Sequence, residues 1–406
     1  MLEPYASGHH APYILWMVQG IINEGINVTV VTSTESMAHP CMQQLVTMSE
    51  NQVANQGSLK VNGEILSSGV LGKLMQSGTF GHIARESFFW CLFRTWFLKY
   101  SNPDSPDVVF LPYLDYCLYG IGLFGSPFAH TPWTGVAMRP SFHFKDMGIT
   151  TPQSILVSFK KILFFRLLKN ATLTCLLTID ETLNEYVNTR YPQQFRMSFL
   201  PEPVQFENLP DTISAKKEMG LSSNRLLILV YGSITLRKGV AELLNALNKA
   251  DFPDNVDVML AGKISPPIKA KISELWVESL ITKGRLIVLD RFISKNEESA
   301  VFAASDMVWL GYRNHYTPSG VLLQAAAAGK PILASDKGVI AWQVRKYNLG
   351  RIVNSSPESI ISAIKASLVN LSGSCALIGS PSNAGCNKSL SEVSKVIRNA
   401  LEKKCK

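Results

Sequence analysis

Several things are scarce in this 406-residue chain, and each shortage excludes a class of protein. Its seven cysteines (Cys41, Cys91, Cys117, Cys175, Cys375, Cys386 and Cys405) lie far apart. None forms a CxxC pair or a metal-ligand spacing, which argues against a zinc module or a disulfide scaffold. The expectation is a reducing cytosol, free thiols and no metal. No run of about 20 apolar residues occurs, so no spanning helix is expected. The nearest approach, SFFWCLFRTWFLKY at Ser87–Tyr100, is short and is broken by Arg94 and Lys99. The start, MLEPYASGHH, has no basic segment followed by an apolar core, so no secretory signal is expected. There are no short-period repeats, and no helix-turn-helix, finger or RNP-type motif, so no nucleic-acid partner is expected.

Charge is also sparse. Charged residues make up 17% of the chain and hydrophobic ones 46%, enough to bury large cores. The net charge is +8. That balance suits an anionic partner: nucleotide phosphates or an anionic membrane surface.

What is present is alternation. Strand-like runs at Ile26–Ser33 (INVTVVTS), Asp107–Leu111 (DVVFL), Trp133–Met138 and Leu173–Ile179 (LTCLLTI) are separated by helical stretches. The helices are expected at about Tyr13–Asn23 and Glu181–Tyr191. Apolar β-branched runs of this length read as buried parallel strands, and the alternation predicts a doubly wound sheet. A first strand should precede the turn at Ala6–His10, yet almost nothing precedes Glu3. Either that strand is very short or the sequence begins late. FLPEPV at Phe199–Val204 reads as a domain crossover. The pattern then starts afresh with Leu226–Tyr231, Val256–Ala261, Arg285–Leu289, Met307–Leu310 and Pro331–Ala334. Three segments follow: an N-terminal domain over 1–201, a second domain over 202–371, and 372–406 as a mobile loop (Ser372–Lys388) with a last helix.

Two segments carry chemistry. GSITLRKG at Gly232–Gly239 follows a buried strand and opens a helix at Val240. Backbone amides and the helix dipole at such a place attract anions, and Arg237 and Lys238 add two cations. YTPSGVLLQAAAAGKP at Tyr316–Pro331 is a polar lead-in to an alanine-rich helix. The small residues there let backbone amides approach a ligand. An ordinary strand-to-helix turn and a packed core helix would account for each segment taken alone.

Together these segments resemble the donor domain of GT-B glycosyltransferases, specifically family 4. The family loop G-R-L-x-x-x-K-G is matched by G-S-I-T-L-R-K-G, and E-G-F-G-L-V-x-L-E-A-M-A-x-G-x-P by Y-T-P-S-G-V-L-L-Q-A-A-A-A-G-K-P. ASDMVWL at Ala304–Leu310 also fits. The likeness covers about Leu226–Val353 well, and the N-terminal half more thinly through EPYASGHH and WTGVAMRPSFHF. The chain departs from the family at Ser233, where the family has arginine, and at Tyr316 and Gln324, where it has glutamates.

The resemblance implies an α/β GT-B fold: two Rossmann-like, doubly wound domains facing a cleft, with the acceptor on the N-terminal domain and the donor on the C-terminal one. It implies transfer from a UDP- or GDP-sugar to a hydroxyl of a glycan or lipid-linked acceptor, with retention and without metal or cofactor. Lys238 is expected at the donor diphosphate with Arg237 beside it, and Gln324 at the ribose through its carbonyl. Gly232, Ser233, Thr317, Pro318, Ser319, Gly320 and Val321 complete the expected donor contacts. Gly8, His9 and His10 stand where such enzymes have a glycine-containing loop, although paired histidines also suit a plain surface. His143, in SFHF, is the candidate for the histidine that touches the donor sugar; its flanking phenylalanines equally suit a packed core. Arg139 is a candidate cation of the cleft.

Phe88–Phe97 and SILVSFKKILFFRLLK at Ser154–Lys169 combine aromatics with cations. They read either as interfacial helices or as core helices with snorkelling cations. The expected location is the cytoplasm, peripheral on the inner face of a membrane. Loss of both glutamates keeps a non-catalytic GT-B binder of nucleotide sugar or glycan as the alternative. An epimerase or phosphorylase is a further one.

Overall fold

The computed structural model describes residues 1–5, 10–51, 57–66, 79–101, 108–152, 156–204, 206, 209–372 and 389–402. The chain divides into two units. The first comprises Met1–Gly148, Pro152–Pro201 and Ser389–Lys406; the second comprises Ile149–Thr151 and Glu202–Lys388.

The first unit runs α1 (His10–Asn23), β1 (Val28–Ser33), α2 (Pro40–Glu50), β2 (Leu59–Glu64), α3 (Thr79–Tyr100), β3 (Val109–Leu111), α4 (Leu118–Phe124), β4 (Trp133–Ala137), α5 (Val157–Leu168), β5 (Leu173–Thr178), α6 (Glu181–Arg190) and β6 (Met197–Phe199). β1 pairs with β2, and β3 to β6 pair in sequence order, all parallel. Ahead of α1, Leu2 makes an isolated parallel bridge to Val31. Leu2 N–H donates to Phe110 O at 3.0 Å, and Glu3 N–H to Val31 O at 3.0 Å, so three residues join the two ladders. β5 shows why these runs are uniformly apolar. Leu173 and Leu176 enter the core on one face of the sheet, and Cys175 and Leu177 the core on the other. The C-terminal helix, Leu390–Leu401, packs on α1 instead of standing apart. It fits because Gly20 has no Cβ, which would meet Ser394 Oγ at 2.3 Å. The loop expected over Ser372–Lys388 lies, beyond Ser372, outside the described residues. One cysteine expectation is corrected: Cys175 is disulfide-bonded, whereas Cys41, Cys91 and Cys117 are free.

The second unit runs α7 (Thr212–Glu218), β7 (Leu226–Tyr231), α8 (Val240–Leu247), β8 (Val256–Ala261), α9 (Pro266–Ile272), α10 (Leu275–Thr282), β9 (Leu286–Leu289), α11 (Lys295–Ala304), β10 (Met307–Leu310), α12 (Gly320–Ala327), β11 (Ile332–Ser335), α13 (Gly338–Tyr347), β12 (Gly350–Val353) and α14 (Pro357–Ser372). Its six parallel strands are ordered β12-β11-β10-β7-β8-β9. The order reverses between β7 and β10. In such sheets the crevice beyond the carboxyl ends of the strands on either side of that point receives the ligand.

A buried ion pair holds the switch point. Lys216 Nζ lies 2.6 Å from Asp306 Oδ2, which also accepts Leu227 N–H at 2.7 Å. Lys216 additionally donates to Arg225 O at 2.8 Å. These bonds pin the start of β10 to β7. Lys216→Met leaves the Asp306 carboxylate without its cation and should cost about 3–5 kcal/mol. Urea melts should show a lower midpoint at unchanged slope; an unaltered midpoint contradicts the assignment.

Candidate functional site

The β7 and β10 loops meet closely in the second unit because residue 239 is glycine. Gly239 sits at φ 65°, and a Cβ there would lie 2.0 Å from Gly311 O. The approach aligns the 232–239 loop with the chain leaving β10. Trp309 Nε1–H donates to Lys238 O at 2.8 Å, and Arg313 N–H donates to Arg237 O at 2.8 Å. Lys238 therefore points inward: it is buried, its Nζ donates to Tyr231 O at 2.9 Å and to the Tyr312 hydroxyl, and it lies 4.4 Å from the Tyr312 ring centroid. Burial, followed by the nearby Arg237 guanidinium, brings the Lys238 amine down to about 7. Arg237 is exposed at the rim and Ser233 is exposed on the loop.

The lead-in to α12 is tied to this loop through His315. Arg237 can only donate, so His315 Nδ1 is the acceptor at 3.3 Å, and Nε2–H then faces Pro318 O at 3.3 Å. Burial and Arg237 hold His315 down at about 4, so it is neutral at pH 7. Thr317, Pro318, Ser319 and Val321 are half-buried and Gly320 is exposed. Ser319, the N-cap of α12, makes no side-chain cap, so the first-turn amides are not taken by it. Half-buried Glu202 approaches the same helix start: its Oε2 is 4.0 Å from where a Cβ of Gly320 would be. Burial raises the Glu202 carboxyl to about 7. Tyr316 fixes the backbone, its carbonyl accepting Val339 N–H at 3.0 Å at the start of α13. Gln324, one turn into α12, donates through Nε2 to Glu298 on α11. Gly232, Lys238, Arg237 and the lead-in to α12 thus share one edge of the sheet.

In the first unit the corresponding edge lies beyond Glu3, β3 and β4. His10 Nδ1 stands 3.4 Å from Glu3 Oε1 and 3.3 Å from the Tyr116 hydroxyl. The His10 ring lies 4.4 Å from that of Tyr113. Arg139 stacks 5.3 Å over Tyr113, while Asp115 accepts the Met138 and Arg139 amides. Arg139 therefore lies with His10 and the two tyrosines; Gly8 and His9 are outside the described residues. His143 is a correction. It is fully buried, with Nε2 2.9 Å from Thr182 Oγ1 and 3.3 Å from Asp180 Oδ2, and Phe142, Phe144 and Tyr186 pack around it. It is a core histidine and touches no ligand there. Of the Gly8–His10 expectation, His10 is the member the structure describes. Glu298 was not singled out from the sequence, and nothing local marked it.

Residues 225–370 match the family "Glycosyl transferases group 1". An uncharacterised glycosyltransferase of Methanocaldococcus jannaschii is 24% identical over 153 residues, 37% of each chain. Among solved structures, WaaG, a glycosyltransferase involved in lipopolysaccharide biosynthesis, superposes with TM-score 0.59 at 16% identity, covering 99% of this chain and 98% of its own. HepE of Anabaena in complex with UDP gives TM-score 0.64 at 14% identity, with 99% and 98% coverage. The fold is GT-B. Within the GT-B frame, this chain's second unit is like the family 4 enzymes in its loop lysine and in the spacing of its two motifs.

An amine brought down to about 7 in the free protein has a consequence that can be measured. A bound diphosphate favours the charged form, so binding above about pH 7 should take up a proton. Titration calorimetry of UDP and GDP in buffers of different ionisation enthalpy measures that uptake. Lys238→Met should remove it and weaken binding by about 1.5–3 kcal/mol. In the free protein the sign is set by the lowered amine. Between about 7 and 10.5 the unfolded chain holds the extra proton, so Lys238 makes stability rise with pH in that window. Equal uptake by wild type and Lys238→Met would remove Lys238 from the site.

Proposed function

We propose that this chain is a glycosyltransferase that moves a sugar from a nucleotide sugar to an acceptor hydroxyl, with retention. The supporting observation is the convergence of Lys238, Arg237, the 232–239 loop and the start of α12 on one sheet edge. In the reaction the acceptor oxygen bonds to the anomeric carbon, the bond from that carbon to the phosphate oxygen breaks, and the acceptor proton passes to the leaving diphosphate. Charge therefore develops on phosphate oxygen, and fixed cations and amides placed there lower the barrier. That proton path needs no side-chain base, which suits a donor edge where Tyr316 and Gln324 replace carboxylates. UDP is the first donor nucleotide to try, given its presence in HepE; GDP is the second.

Thermal shift against a panel of nucleotide sugars identifies the donor, since a ligand at 100 times its dissociation constant adds about 2.7 kcal/mol. Release of nucleoside diphosphate from that donor, unaffected by chelator, is the expected outcome. The Tyr316 and Gln324 replacements favour one other reading, a binder without turnover. Saturable binding with no released nucleotide would establish it, and turnover with free phosphate alone would indicate a phosphorylase.

We further propose a glycan or lipid-linked acceptor met at the cytoplasmic face of an anionic membrane. Phe159, Ile162 and Arg166 on α5, with Lys169 at its C-cap, are all exposed and fall on one helical stripe. Leu123 and Phe124 are exposed on α4, which packs against α5 where Gly122 meets Leu163 O. Apolar residues beside cations suit the headgroup boundary. Lys160 and Lys161 are engaged internally, over the Tyr119 ring and with Asp146. No helix among the described residues is long and apolar enough to cross a membrane. Phe159→Gln with Ile162→Gln should abolish vesicle binding. Arg166→Gln with Lys169→Gln should remove the preference for anionic vesicles, each cation contributing about 1 kcal/mol. Sedimentation with neutral and anionic vesicles measures both, and equal recovery of all variants contradicts the proposal.

A further inference from the structure

Tyr231 ends β7 and links two oppositely charged groups. Its carbonyl accepts the Lys238 amine at 2.9 Å, and its hydroxyl donates to Glu298 Oε1 at 2.8 Å. The same Oε1 accepts Gln324 Nε2–H from α12. Glu298 is half-buried on the first turns of α11, and burial holds its carboxyl above the usual range. With Oε1 doubly engaged, Oε2 takes no hydrogen bond from the described residues. The Gln324 amide is oriented by its donation, so its carbonyl oxygen stands beside that carboxylate. The crevice edge thus has a cationic end at Lys238 and Arg237 and an acceptor end at Glu298 and Gln324, one tyrosine apart.

Such an edge orients a bipolar ligand. A diphosphate is repelled by the Glu298 carboxylate and settles at the cations. Two adjacent acceptors with no hydrogen to donate suit a neutral group that carries two adjacent O–H donors. In nucleotide sites of this sheet type, a carboxylate takes the ribose hydroxyls while the pyrophosphate sits at a helix start. Two other elements, β7 and α12, converge on Glu298 of α11, so the carboxylate is held before any ligand arrives.

We propose that Glu298, positioned by Tyr231 and Gln324, binds the ribose diol of the nucleotide donor. The carboxylate absent from position 324 is supplied from α11, and Gln324 becomes its support and the second acceptor. The inference rests on the nucleotide-sugar reading above and adds a residue to that site.

Calorimetry with UDP, GDP, their 2′-deoxy analogues and inorganic pyrophosphate tests it. Wild type should bind UDP or GDP at least about tenfold more tightly than the matching deoxy form, because one charge-assisted bond is lost. Glu298→Gln should lose that discrimination while its pyrophosphate affinity stays unchanged. The exchange Glu298→Gln with Gln324→Glu should recover it by returning a carboxylate to the pair. Thermal melts of each variant show whether the fold survives, and the exchange separates a lost ligand from a lost support. The proposal is overturned if Glu298→Gln distinguishes ribose from deoxyribose as wild type does, or if wild type makes no distinction while binding nucleoside diphosphates. If wild type binds neither UDP nor GDP, or binds pyrophosphate just as tightly, the nucleotide reading itself fails.

Discussion

Lys238 is buried at the point where strand order reverses, and the surrounding architecture keeps it there. A desolvated amine is costly unless its protons are used. Here Tyr231 and Tyr312, from the ends of β7 and β10, accept them. That arrangement needs the two loops in contact, which requires glycine at 239, where a Cβ would meet Gly311 O, while glycine at 311 leaves room for the Trp309 ring. It also needs the two strands in register, which the Lys216–Asp306 pair secures at their start. Burial and the nearby Arg237 leave this amine half-neutralised near pH 7. The doubly wound sheet supplies the position, and the side chains supply the charge.

The same edge is polarised, with Lys238 and Arg237 at one end and Glu298 at the other. The sheet fixes where ligand atoms lie, whereas which helix delivers a compensating group is open to change. Gln324 alone has lost a charge, but with Glu298 it forms a carboxylate–amide pair. Tyr316 shows no such compensation of its own, although the half-buried Glu202 carboxylate stands at the start of α12. In the first unit the corresponding edge gathers His10, Glu3, Tyr113, Tyr116 and Arg139.

Most of the fold was legible because buried parallel strands are continuous apolar runs. Leu226–Tyr231 and Val256–Ala261 have the extents their composition predicts, and Leu173–Ile179 differs by one residue. β2 was missed because LKVNGE carries lysine, asparagine and glutamate on a strand paired on only one side. The bridge at Leu2 involves too few residues for any periodicity. The return of the last helix to the first unit depends on a contact between Gly20 and Ser394, far apart in sequence. Site legibility followed the same division. Lys238 and the start of α12 belong to local motifs. His143 was misread because a histidine between phenylalanines looks alike in a crevice and in a core, and only its bonds to Asp180 and Thr182 decide. Glu298 has meaning only through Tyr231 and Gln324, which are distant in sequence.

The most direct measurement is a crystal structure of this chain with UDP or GDP bound. The account predicts the diphosphate against the 232–239 loop and the start of α12, within hydrogen-bonding reach of Lys238, with the ribose hydroxyls on Glu298. A nucleotide bound elsewhere, or bound at this edge with its phosphates away from Lys238, would contradict it.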